Sequence, residues 1–151
     1  GQAAEWAAER ATEADLTRLD QAFETLNDAF TADDLERRSS ADIAFHQAVG
    51  EASHNALVGH LSAALLRLMH DNIRLNLGEL KSIPAAGSLL MRQHAAIHTA
   101  IRERKPQAAR AAAETHIDFV RETLAQSLRS AARRETAARR LNTEYSPSTF
   151  S

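Results

Sequence analysis

The stretch Ser39 to Asn55, SSADIAFHQAVGEASHN, sets Asp42 and His46 four residues apart inside a run of helical pattern. At 3.6 residues per turn, an i, i+4 pair shares one helix face, about 6 Å apart along the axis. Two later histidines, His94 and His116, fall on the apolar faces of two further helical segments. For any one of these histidines alone, a satisfied core residue is the commoner explanation. The combination argues otherwise. A buried aspartate without compensating charge is costly, and three neutral imidazoles around a dication offset that cost, as in other sites built from facing helices. Asp42, His46, His94 and His116 are therefore read as candidate ligands of one divalent metal.

The rest of the chain supplies the helices this reading needs. Gln2 to Ala11 has amphipathic pattern with Trp6 as its expected buried anchor, and Thr12 with Asp15 makes a box-like start for the next helix. Leu16, Leu19, Phe23, Leu26 and Phe30 then recur at helical spacing. Thr31 with Asp34, and Ser39 with Asp42, both offer further starts, so residues 32–52 read as one helix or two. His54-Asn55 is a turn with Asn55 as a cap. Residues 56–77 follow, with Leu57, Leu61, Leu65, Leu68 and Ile73 on one side as the expected core stripe. Gly78 to Gly87, with Pro84 inside, is the clearest loop. A helix from about Ser88 to Arg104 carries Leu90, Met91, His94, Ile97 and Ile101 on one face. Pro106 suits the first turn of a last long helix, which directs Ala109, Ala112, Ala113, His116, Phe119, Val120, Thr123 and Leu124 inward. The expected fold is all-α, an antiparallel bundle of about six or seven helices. A single domain spans residues 1–141 and a flexible tail 142–151.

Composition agrees and narrows the chemistry. The 151 residues suit one domain, 44% are hydrophobic, 25% charged and only 5% aromatic, and Gly and Pro are scarce, which favours helix over sheet. Without cysteine there is no disulfide, thiolate ligand or thiol nucleophile, so a metal must take His nitrogen and carboxylate oxygen. Zinc is the first expectation, with nickel or manganese as alternatives. A net charge of −2 argues against nucleic-acid binding by these residues alone. No apolar run approaches the roughly 20 residues that cross a bilayer, and GQAAEWAAER lacks the features of a signal peptide. A cytoplasmic location is expected. The Arg-rich run Arg129, Arg133, Arg134, Arg139 and Arg140 reads as a solvated helix face, and His54 and His60 as surface residues.

The segments A41-D-I-A-F-H46, E51-A-S-H-N55, R92-Q-H-A-A-I-H-T-A-I101 and A108-A-R-A-A-A-E-T-H116, with the opening AAERATEADL, resemble the FCD domain. That domain is the effector-binding half of FadR-subfamily GntR transcription regulators. The resemblance covers residues 3 to about 128 and puts Asp42, His46, His94 and His116 at the family's metal-ligand positions. It implies a sensor of a small carboxylate effector, which usually acts as a homodimer and signals to a winged-helix DNA-binding domain that these residues do not contain. ASHN and RQH resemble the regulators of lactate and glycolate use, which implies a 2-hydroxy acid. Some of those carry an Arg between the Asp and the His, where this chain has Ala44. Arg74 is the candidate replacement as a bidentate carboxylate partner, with Asn55 and His98 as further candidate effector contacts. The alternative is a helical metalloenzyme acting on a small organic acid. It lacks a well-placed base, because Glu114 sits two residues from His116 and points off its face. No enzymatic activity is expected. A bundle without any ligand would leave an aspartate and three core histidines together by accident.

Overall fold

Thr12 begins the first long helix as its sequence predicts. Its hydroxyl accepts from the Asp15 backbone N–H at 3.2 Å, while the Asp15 carboxylate accepts from the Thr12 backbone N–H at 2.8 Å. The computed structural model describes residues 1–151 except 33, 69, 71–72, 75–76, 79–84 and 145–151. Among the described residues six helices are traced: α1 (Gln2–Arg10), α2 (Glu13–Thr31), α3 (Leu35–Ala52), α4 (Ala56–Leu68), α5 (Ala86–Arg102) and α6 (Pro106–Glu144). The fold is an all-α helical bundle, as composition and periodicity predict.

α1 packs through alanine. Ala4, Ala7, Ala8 and Ala11 are buried where α1 meets α3, α5 and α6, and small side chains let four helices approach closely. Trp6 is not the buried anchor expected of it. It is half-buried at the edge of this contact, and the Arg10 guanidinium lies 4.9 Å above its ring. A crossing lined by alanine has no space for an indole.

Residues 35–52 form one helix, which settles the question left open for 32–52. Asp34 is its cap, accepting from the Arg37 backbone N–H at 3.0 Å. Ser39 and Asp42, read as a further start, lie inside α3 on its buried face. The turn from α2 is held by Arg38, whose guanidinium donates to the carbonyls of Ala29, Phe30 and Ala32. Those are carbonyls that the end of α2 leaves without helical partners. At the other end of α3, Ser53 donates to the Gly50 carbonyl at 2.6 Å, and Asn55 Oδ1 caps α4 by accepting from the Val58 N–H at 3.1 Å. Short turns thus make α2, α3 and α4 successive antiparallel neighbours.

The buried residues form a main cluster and a smaller one around Leu77, Ala86 and Leu90, and Phe30 packs against both. Leu19, Leu26, Phe45, Ile97 and Ile101 are fully buried, and Leu16, Val49 and Ala109 extend the main cluster. Leu90, Ile97 and Ile101 of α5 face inward as their spacing predicts. Pro106 opens α6 at its first position, where a missing N–H costs nothing. α6 continues through Glu144, past the expected domain limit at 141, and the rest of the expected tail lies outside the described residues. Most of the expected loop 78–87 also lies outside them. Its described end, Ala85, has φ 63° and ψ −1°, and α5 starts at Ala86, two residues before the expected Ser88.

α4 departs from expectation most. Leu57, Leu61, Leu65 and Leu68 are 69%, 61%, 56% and 81% exposed, so this stripe is not the core side of the helix. The face turned to α3 is instead Val58, Gly59, Ser62, Ala63 and Leu66, all half-buried. Gly50 and Ser62 meet at this crossing, where a Cβ on Gly50 would lie 3.6 Å from Ser62 Cβ. α4 is apolar on two faces and the described chain covers only one. Among the described residues, no helix is long and apolar enough to cross a membrane.

Candidate metal and effector site

Three helices bring the four candidate ligands together. α3 supplies Asp42 and His46 one turn apart, α5 supplies His94, and α6 supplies His116. Asp42, His94 and His116 are buried, and His46 is half-buried at the edge of a cavity. The ring centroids are 5.2 Å (His46–His94), 5.0 Å (His46–His116) and 4.5 Å (His94–His116) apart. One nitrogen from each ring lies within 4.8 Å of the others, close enough for the three histidines to hold a metal ion. His94 Nε2 lies 3.1 Å from Asp42 Oδ1 and 3.3 Å from His46 Nε2, and His46 Nε2 lies 3.9 Å from Asp42 Oδ2. Donors bonded to one tetrahedral zinc at about 2.0–2.1 Å are about 3.3 Å from one another. The separations among Asp42, His46 and His94 are close to that spacing, and the three histidine nitrogens lie within 4.8 Å of one another.

Electrostatics put the donors in the right protonation state. Burial lowers the His46 pKa to about 4, with His94 adding to the effect and Asp42 opposing it. Burial likewise takes His116 down to about 2, helped by His46 and His94. Burial alone would raise Asp42, but the His94 hydrogen bond and the neighbouring imidazoles outweigh it and hold the carboxyl at about 2. At neutral pH two imidazoles are therefore neutral beside a carboxylate, which is what a divalent cation requires of its ligands. The Nδ1 atoms of His94 and His116 are buried without a hydrogen-bond partner. Buried polar atoms without partners are uncommon; in His94 the nitrogen turned to Asp42 and His46 is Nε2, so only the unpartnered Nδ1 of His116 fits a site completed by a bound ion.

Phe45 fixes the rings from beneath. It is fully buried one residue before His46, and its ring meets His94 edge-on at 5.3 Å and His46 at 5.4 Å. Above the cluster opens a cavity of about 260 Å³ that reaches Asp42, His46 and His116. Its walls come from α1, α3, α4, α5 and α6, and include Val49, Ser62, Leu66, Ile73, Ile97 and Ile117. Sequence reasoning found the polar end of this cavity and turned Leu65, Ile73 and Ile97 inward, but did not find Val49, Ser62, Leu66 and Ile117 as walls. Leu66 carries no signal beyond hydrophobicity, and which side of α4 faces α3 is a tertiary fact.

None of the candidate effector residues is among the described walls of this cavity. His98 stacks on Phe23 at 4.4 Å and its Nε2 is 2.7 Å from Asp20 Oδ1, on the α2 side of α5. Asn55 is occupied as the α4 cap and borders a separate shallow cleft with Glu51 and His60. Arg74 is exposed and follows Ile73, a cavity wall residue. His54, expected on the surface, is about half-exposed yet 2.6 Å from Asp15 Oδ2. Burial alone would raise the Asp15 pKa, but hydrogen bonds from Thr12, His54 and Arg18 lower it strongly. This unforeseen pair ties the start of α2 to the α3–α4 turn.

Comparison with known proteins accords with the geometry. The FCD domain family matches residues 1–119. The chain is 30% identical over 127 residues to the Glc operon transcriptional activator of Escherichia coli, covering 82% of this chain and 50% of that protein. It is 30% identical to the putative L-lactate dehydrogenase operon regulatory protein of Escherichia coli over 78% of this chain and 44% of that protein. It is 35% identical to the galactonate operon transcriptional repressor of the same organism over 76% of this chain and 48% of that protein. The chain spans about half the length of these relatives. It belongs to the FCD domain family of FadR-type GntR regulators, and is a regulatory domain rather than an enzyme.

Proposed function

We propose that this domain senses a small carboxylate through a divalent metal held by Asp42, His46, His94 and His116. The observation that carries the reading is the clustering of His46, His94 and His116, with Asp42 3.1 Å from His94, beside a cavity that Asp42, His46 and His116 line. Zinc suits a set of three imidazoles and one carboxylate, and nickel or manganese would accept the same donors. Held there with a coordination number above four, the metal would supply a positive charge and a further position for a carboxylate oxygen. Asp42 would balance that charge and the histidines would set its position. Relatives named for lactate and galactonate operons make a 2-hydroxy acid, such as lactate or glycolate, the first class to test. Arg74, next to the Ile73 wall, is the side chain to test as a second carboxylate partner.

The cavity is lined by five helices, so a ligand that binds one packing of α3, α5 and α6 better than another shifts the population between them. In a regulator about twice this length, that shift would reach a DNA-binding domain in the cytoplasm. Calorimetric titration of L-lactate and glycolate into metal-loaded protein is expected to give saturable binding, and none after chelation. Equal binding with and without metal would overturn the metal's role.

The uncovered face of α4 is proposed to pack on a second copy of the chain. Leu61, Leu65 and Leu68 follow the four-then-three spacing of a coiled-coil seam, and α4 carries no acidic residue and a single arginine, Arg67. A self-complementary contact about a twofold axis therefore meets little like-charge repulsion. The Leu61→Glu/Leu68→Glu variant should have half the wild-type mass by light scattering. A wild-type monomer at high concentration would exclude this interface.

A further inference from the structure

We infer that the effector is a short carboxylate with an alkyl tail, and that polyhydroxylated acids are selected against. The inference rests on the sensor reading above and concerns which acid the same cavity takes.

The cavity is divided by chemistry. Its polar groups, Asp42, His46 and His116, gather at the end where the metal would lie, with Ser62 on the α4 wall. The other described walls are mainly aliphatic: Val49, Leu65, Leu66, Ile73, Ile97 and Ile117, with three alanines and the backbone of Gly1 and Gly50 between them. A carboxylate, with a 2-hydroxyl beside it, suits the first region. Against these described walls, ligand carbons beyond the second meet methyl and methylene groups. A hydroxyl pressed on Val49, Leu66, Ile97 or Ile117 would lose water without gaining a side-chain partner from them, which costs far more than an alkyl carbon gains. A methylene at the same place leaves water at a gain of about fourfold in affinity. At about 260 Å³ the space is below the roughly 300–1,000 Å³ of sites for drug-sized ligands, so the tail is short.

This separates the domain from what the relatives' names suggest taken one by one. A galactonate-type acid has a hydroxyl on every inner carbon, and would set most of them against Val49, Ile73, Ile97 and Ile117. Glycolate has no tail to bury. Lactate has one methyl.

The test is a calorimetric series on zinc-loaded protein with glycolate, L-lactate, 2-hydroxybutyrate, 2-hydroxyisocaproate and galactonate. Affinity is expected to rise about fourfold per added carbon from glycolate to the longest acid that fits, with galactonate weakest. Ile117→Ser, a change at a half-exposed position, should cost 2-hydroxyisocaproate severalfold more than glycolate. Zinc content is measured on the same samples. Galactonate or glycolate binding as tightly as 2-hydroxybutyrate would overturn the inference and leave the sensor reading standing. Loaded zinc with no binding by any acid would overturn both. Absence of zinc uptake would remove the sensor reading first.

Discussion

Phe45→Ala is expected to destabilise the domain by about 3–5 kcal/mol, the usual cost of removing a large buried aromatic. Phe45 is fully buried and touches Phe23 in α2 at 6.0 Å as well as the rings of His46 and His94. It packs the core and floors the metal cluster together. Its loss removes buried apolar area and opens a cavity directly under two ligands. Urea unfolding should show the drop, and zinc affinity should fall with it because the imidazoles lose the surface that orients them. A cost below about 1 kcal/mol, typical of an exposed site, would mean that the ring is not packed as described.

Saturating zinc is expected to stabilise the domain strongly at pH 7.5. A ligand that binds only the folded state at 100 times its Kd adds about 2.7 kcal/mol, which for a chain of this size is roughly 5–10 °C in Tm. Without metal, stability should depend on pH in a defined direction. His46 and His116 are depressed from 6.5 to about 4 and about 2 in the fold. The unfolded chain therefore takes up protons first as pH falls. Their contribution is fully present above pH 6.5 and is lost as pH drops toward 4, with the His116 part continuing to fall toward 2. Thermal melts of chelated protein between pH 7.5 and 5 should show Tm falling. A Tm that rises on acidification over that window would contradict neutral, buried imidazoles.

The parts of the molecule legible in the chain were those set by local periodicity or by the cost of burying charge. Asp42 and His46 share a face because helices repeat every 3.6 residues, and the Thr12 and Asn55 caps follow from short side chains that satisfy exposed N–H groups. His94 and His116 could be placed inward because aliphatic neighbours flank them at helical spacing. What escaped is set by how helices meet. Trp6 reads as an anchor by its size, yet the α1 crossing admits only alanine. The leucines of α4 read as core by their spacing, but α3 contacts the face with Val58, Gly59 and Ser62, and the stripe is left uncovered. A helix apolar on two sides gives one hydrophobic pattern and two possible insides. His98 shares a face with His94 in sequence, and only the position of α2 shows that Asp20 and Phe23 engage it.

The central claim is that the four side chains on α3, α5 and α6 hold one metal ion. Elemental analysis of untagged protein, beside the Asp42→Ala/His94→Ala variant with folding checked by circular dichroism, tests it most directly. The expected result is close to one equivalent of a transition metal in the wild type and little in the folded variant. A wild type that carries no metal and takes up none on refilling, or a variant that retains a full equivalent, would contradict it.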